Sequence, residues 1–166
     1  MNSSGLPRRL IEVNNLLGSL SFEIFHWFNH GKFSIYDLIE YLLLFSGKAH
    51  LKITSFSLSE EAIRKFIFFK EQELIETAAF LFDHSTARNK LSLMLFISKS
   101  FDVRLSNNHT KIILIRNDLH HLVVSCSANL NQNLRHENGF ISTDLKTYTL
   151  FDNYFDTVFQ KALPYS

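Results

Sequence analysis

One cysteine, two prolines and five glycines are spread over 166 residues, and 17 lysines and arginines against 16 aspartates and glutamates leave a formal charge of +1. The lone thiol, Cys126, rules out an intrachain disulfide and fits a reducing compartment; placed in an apolar stretch, it reads as a small core side chain. A balance so near neutrality creates no global field toward nucleic acid, so an acidic polymer would need a local basic patch. The longest apolar runs, Tyr41 to Phe45 among them, are far short of the roughly 20 residues of a membrane span. Arg8 and Arg9 lead into Glu12, Asn14 and Asn15 rather than an apolar stretch, unlike a secretory signal. A soluble, cytoplasmic protein is the expectation. Repeats and low-complexity linkers are lacking too, and the length suits one domain with a sizeable core, into which the 17 phenylalanines would pack.

Residues 1–7 read as a frayed tail. From Leu10 to His30 the apolar spacing predicts one or two helices stopped by Gly31. Ser34, with Asp37 as its capping-box partner, predicts a helix carrying Ile35, Leu38, Ile39, Leu42 and Phe45 and ending at Gly47. His26 and His30 fall four apart, the spacing of two metal ligands on one helix face. With no glutamate between them and no third ligand evident, they read as surface or boundary histidines. A strand is predicted at Leu51 to Phe56, then a helix opened by Ser57 or Ser59 with Glu60 and Glu61 and carrying Ile63, Phe66, Ile67 and Leu74. Further strands are predicted at 78–82 and 101–105, with a helix between them around 87–99. This alternation argues for an α/β fold, a mixed β-sheet flanked by helices.

The most informative stretch is His109 to Glu137. His109-Thr110-Lys111 opens an apolar run through Ile115, a polar turn spans Arg116 to His121, and Val123 to Cys126 leads into Ser127-Ala128-Asn129. On strands, His109 and Lys111 would share a face, as would Ser127 and Asn129. Pairing of the two strands would converge an imidazole, an ammonium, a hydroxyl and a carboxamide, a set suited to a phosphodiester. A polar loop, Leu130 to Arg135, a short strand at 137–142 and a closing helix over 150–163 complete the chain.

The pattern His-x-Lys, apolar strand, Ser-x-Asn and then Glu137 resembles the phospholipase D superfamily, in particular its single-motif bacterial endonuclease-like members. The resemblance runs from about Ala49 to Ala162. It implies an α/β/α sandwich over 48–163, with 1–47 as an N-terminal helical extension of a single domain. It further implies a phosphodiesterase that works without a metal ion or cofactor: His109 as nucleophile forming a phosphohistidine, Glu137 orienting it, Lys111 and Asn129 on the phosphoryl oxygens, and Ser127 tuning the network. Of the three His-x-Lys triplets, at His30, His50 and His109, only the last is followed by Ser-x-Asn, and with one full motif the resemblance implies a homodimer whose second His109 protonates the leaving group. Weaker candidates for substrate contact are Arg88, Lys90, Arg135, Thr54 and Ser55. Two positions depart from the family pattern: Arg116 stands where an aspartate is usual, with Asp118 as a substitute within the turn, and Cys126 where glycine is usual. A nuclease is the leading expectation; an inactive module that binds phosphate or nucleic acid, and a phospholipid hydrolase or transferase, are the alternatives.

Overall fold

The computed structural model describes residues 6–18, 20–131 and 135–165. Most of the expected tail, and the middle of the loop after Leu130, lie outside these residues. Helix α1 (Arg8–Leu17) buries Leu10, Val13 and Leu17 at helical spacing and stops at Gly18, whose φ of 59° suits a residue without a Cβ. The stop therefore falls well before Gly31. The residues that follow are not helical: Ile24–His30 form strand β1, in which Trp27 and Asn29 turn inward in alternation with exposed neighbours. Aromatic and branched side chains favour such an edge strand, and pairing along its length outweighs the loose helical spacing that the sequence suggested. The expected helical extension thus contributes a strand to the sheet. On a strand, His26 and His30 are about 13 Å apart, which ends the two-ligand reading.

Helix α2 (Ile35–Ser46) begins and ends as its caps predict. The Asp37 carboxylate accepts the Ser34 N–H at 2.7 Å, and Gly47 closes the helix. Strand β2 (Ala49–Ser55) leads through the Ser59 cap into α3 (Glu60–Glu71), and the Ser59 hydroxyl accepts the Ala62 N–H. That cap stabilises the helix by about 1 kcal/mol. Strand β3 (Ile75–Asp83) is followed by two short helices rather than one, α4 (His84–Asn89) and α5 (Leu91–Ser98), because Lys90 leaves helical geometry at φ −137°, ψ 44°. Then come β4 (Asp102–Ser106), β5 (Ile112–Arg116), β6 (His121–Cys126) and β7 (His136–Ser142). Helix α6 (Leu145–Lys161) starts five residues earlier than expected because Asp144 caps it, and a two-residue strand β8 (Leu163–Pro164) follows.

The described strands form one mixed sheet in the order β1-β7-β6-β5-β2-β3-β4-β8, with β2, β3 and β4 parallel and the other pairings antiparallel. Alternate residues of β5 separate two cores: Ile113 and Ile115 face the larger one, with α1, α2, α3 and α5, while Ile112 and Leu114 face α6. The result is the helix–sheet–helix layering expected of the chain. At one end of the sheet lie the last residues of β2, β3, β4 and β6 and the first of β5 and β7, so the loops carrying the polar motif gather there. Ligands of open α/β sheets bind at such an end.

Candidate functional site

The connection from β4 to β5 crosses that end of the sheet and carries His109 and Lys111. Neither lies on a strand, because β5 begins only at Ile112. A network around buried Asn108 holds the connection instead. Its N–H donates to the Asp83 carboxylate at 3.1 Å, and its Oδ1 accepts the Thr110 N–H at 3.2 Å and the Thr110 hydroxyl at 2.6 Å. The Thr110 and Thr54 hydroxyls bond at 2.8 Å, and Thr54 accepts the Ile112 N–H at 3.0 Å. Burial works to raise the Asp83 pKa, but hydrogen bonds from Ser85 and the Asn108 N–H outweigh it and hold the carboxyl below its ordinary range.

This brace leaves His109 exposed, with Lys111 beneath it at only 9 % exposure. The Lys111 ammonium lies 3.1 Å from the His109 Nδ1 and donates to the His109 carbonyl at 2.7 Å. The Phe56 ring packs on the imidazole, 4.9 Å between centroids, and the Lys111 Nζ sits 5.9 Å from the same ring. Burial pushes the Lys111 pKa below the usual lysine value, partly countered by Cys126 and Glu137. Strand pairing brings in the second half of the motif: Cys126 N–H donates to the Lys111 carbonyl, and the Ser127 N–H to that of Asn138.

Asn129 is tied into the same cluster. Its Oδ1 accepts the Phe56 N–H at 3.1 Å, and its NH2 has no partner among the described residues, leaving a donor for an anion. The Ser127 hydroxyl donates to the Glu137 carboxylate and accepts the Asn138 N–H at 3.0 Å. His109, Lys111 and Asn129 are thus joined through Phe56. Glu137 enters through Ser127 and through its field on Lys111, without a described hydrogen bond to His109.

The weaker candidates divide. Thr54 and Ser55 are each 1 % exposed and brace the loops rather than face a ligand; the Ser55 hydroxyl donates to the Ser57 carbonyl and accepts the Leu130 N–H. Lys90 is also turned inward, onto the Leu58 carbonyl at 2.5 Å and the Ser57 hydroxyl at 3.1 Å. Arg88 and Arg135 are exposed at the same end of the sheet. Two further residues of the cluster, Asn108 and Phe56, do not stand out in the sequence. The Asn107-Asn108 pair was the available signal for the first, since asparagine side chains hold loop backbone, and nothing local marked the second.

Both departures from the family pattern have a structural account. Arg116 is exposed at the far end of β5, and Asn117, rather than Asp118, builds the turn: its Oδ1 accepts the Leu119 and His120 N–H groups, and its NH2 donates to the Ser46 and Lys48 carbonyls. Cys126 lies opposite Gly139, where an added Cβ would fall 2.7 Å from the Cys126 Cβ. The position in this pair that admits no side chain is therefore 139, which leaves room for the Cys126 side chain. Burial pushes the Cys126 thiol up to about 12 and keeps it neutral.

A cavity of about 660 Å³ lies at the opposite end of the sheet. Its lysines, Lys48 and Lys52, are paired with Glu76 and Asp152, and Arg116 lines it together with Asp118, so acidic groups offset its cations.

No protein-family model matches the chain, and no curated protein matches it in sequence. Solved structures do. Nuc from Salmonella typhimurium, a phospholipase D family member, aligns with a TM-score of 0.65 at 16 % identity over 86 % of this chain and 99 % of its own. NucT from Helicobacter pylori aligns with a TM-score of 0.65 at 17 % identity over 86 % of this chain and 100 % of its own. TrmBL2, an archaeal chromatin protein with a novel mode of DNA binding, gives 0.60 at 12 % identity over 93 % of this chain and 61 % of its own. At these identities the likeness is one of fold.

Proposed function

The chain has the fold of the phospholipase D superfamily, and on that premise we propose that it is a metal-independent phosphodiesterase, a nuclease acting through His109. The observation that carries this reading is an exposed imidazole 3.1 Å from an ammonium that is itself almost buried. A fold gains nothing by placing a lysine there, whereas a phosphoryl group gains a desolvated counter-charge beside a nucleophile.

In the proposed reaction a bound phosphodiester draws the Lys111 ammonium from the imidazole onto its own oxygens. The Asn129 NH2 donates to the same oxygens. Released from the ammonium, the imidazole takes the tautomer with its ring proton on Nδ1, where a carboxylate, the role assigned to Glu137, accepts the N–H bond, and Nε2 then holds the lone pair. That nitrogen attacks phosphorus, a P–N bond forms, and the P–O bond to the leaving group breaks. The leaving alkoxide takes a proton from the partner subunit's His109, and water later attacks the phosphohistidine to release the second product. The homodimer follows from the need for two imidazoles where each chain has one motif. Leu145, Leu150 and Tyr154, exposed on α6, support a further contact surface.

A second reading is an inactive module that holds nucleic acid without cutting it. It is supported by the occupied Nδ1 and by the fold shared with a DNA-binding chromatin protein. A phospholipid hydrolase or transferase is the third. Turnover of bis-p-nitrophenyl phosphate in excess chelator, abolished in His109→Asn, is the expected result. An inert wild type that still binds oligonucleotides would establish the module instead. Plasmid nicking against phosphatidylcholine cleavage separates the two enzymatic readings, and a light-scattering mass of one chain would refute the dimer.

A further inference from the structure

Beside Ser127 the sheet carries a hollow of about 580 Å³ on its α6 side, floored by β6, β7 and β1. Its walls are aromatic: Phe28 and His26 on β1 and Phe140 on β7, with the His26 and Phe140 rings 6.1 Å apart. Phe28 is 68 % exposed, a large apolar area left to water on an edge strand. Ser125, Ser127 and Asn138 line the same hollow with hydrogen-bonding groups, and no carboxylate lines it. Exposed Arg135 and His136 stand at the neighbouring start of β7, where His136 faces His30 with their Nδ1 atoms 3.0 Å apart. Rings, neutral hydrogen-bonding groups and a guanidinium nearby are the ingredients of a stacking platform for nucleobases.

Position supports that use. Ser127 belongs both to this hollow and to the phosphate cluster, one strand over from Lys111. Two strand spacings, about 10 Å, separate Lys111 from Phe140 across the sheet. That span matches about three nucleotides of a stacked strand at roughly 3.4 Å each.

We propose that Phe28, His26 and Phe140 form a subsite that stacks an unpaired base two or three nucleotides from the scissile phosphate. The subsite rests on the nuclease reading, and it makes the substrate a nucleic-acid strand with unpaired bases rather than a lipid headgroup. Its occupant is chosen over a second copy of the chain because the hollow runs to Ser127 of the phosphate cluster, has the Arg135 guanidinium beside it, and combines stacking rings with hydrogen-bonding groups.

The test compares wild type with Phe28→Ala and Phe28→Trp, using a single-stranded oligonucleotide, the same strand with abasic sites, and bis-p-nitrophenyl phosphate. Loss of one stacking ring raises the oligonucleotide KM of Phe28→Ala about tenfold relative to its KM for the small diester, with kcat held. Phe28→Trp restores it, and the abasic strand binds wild type and Phe28→Ala alike. Equal oligonucleotide KM values in wild type and Phe28→Ala would overturn the subsite. So would a fall in light-scattering mass in Phe28→Ala, which would give this face to a second copy. If wild type turns over neither substrate, the nuclease reading fails. Fluorescence anisotropy of the oligonucleotide then decides the subsite by the same tenfold loss of affinity, or overturns it by its absence.

Discussion

Asn108 makes a sharp test of how the loop holds His109. In Asn108→Ala the Oδ1 that accepts the Thr110 N–H at 3.2 Å and the Thr110 hydroxyl at 2.6 Å disappears. The contacts from its NH2 to the Ser55, Leu81 and Thr110 carbonyls, at 3.4, 3.5 and 3.4 Å, are long and count for little. The two bonds to Oδ1 contribute about 1 kcal/mol each. The stranded Thr110 N–H costs about 1–2 kcal/mol more, while its hydroxyl keeps Thr54 as a partner. A loss of about 3 kcal/mol is therefore expected. Urea unfolding followed through Trp27, the lone tryptophan and 2 % exposed, would measure it. Since the same bonds set the place of His109, a shift of about 1 Å would also lower kcat on bis-p-nitrophenyl phosphate about a hundredfold. Asn108→Asp, nearly isosteric, keeps the acceptor but sets a second carboxylate beside Asp83 and buried carbonyls, and should be no better. If Asn108→Ala stays within about 0.5 kcal/mol of wild type and keeps full turnover, the loop is held by something else.

Three further outcomes follow from the same geometry. Because burial lowers the Lys111 pKa, the alkaline limb of kcat/KM should fall below the pH at which an ordinary lysine titrates; a limb at or above 10.5 would contradict the desolvated cation. The sign for stability agrees, since a lysine disfavoured as a cation in the fold opposes folding at low pH and ceases to as pH rises through its unfolded value. Gly139→Ala should destabilise the chain by about 1–3 kcal/mol, because the new Cβ meets the Ser125 carbonyl at 2.5 Å, the Cys126 Cβ at 2.7 Å and the Trp27 ring at 2.8 Å. Adding Cys126→Gly should return part of that loss, about 1 kcal/mol in a double-mutant cycle; strict additivity would show that the two positions do not share space.

Much of the fold is legible locally. Ser34 with Asp37, Gly47 and Ser59 mark helix ends by side-chain chemistry that needs no tertiary partner, so α2 and the start of α3 fall where the sequence puts them. The polar motif is equally plain, since His109, Lys111, Ser127, Asn129 and Glu137 are a costly set to place together without a ligand. Errors arise where long-range pairing overrides local pattern. Phe22 to His30 has a spacing that a helix would accept, but β7, more than a hundred residues away, offers β1 a full ladder of hydrogen bonds. The break at Lys90 and the two-residue β8 are likewise products of packing.

At the site the division is sharper. Residue types alone pointed to a phosphate-directed chemistry, because few other ligands call for an imidazole, an ammonium, a carboxamide and a carboxylate at once. They said nothing of which groups are turned outward. Only the folded chain commits Thr54, Ser55 and Lys90 to bracing loops, buries Lys111 under an exposed His109, and sets Gly139 against Cys126 where no second side chain fits. Burial and cross-strand contact depend on residues brought together from distant parts of the chain, and no window of sequence contains them.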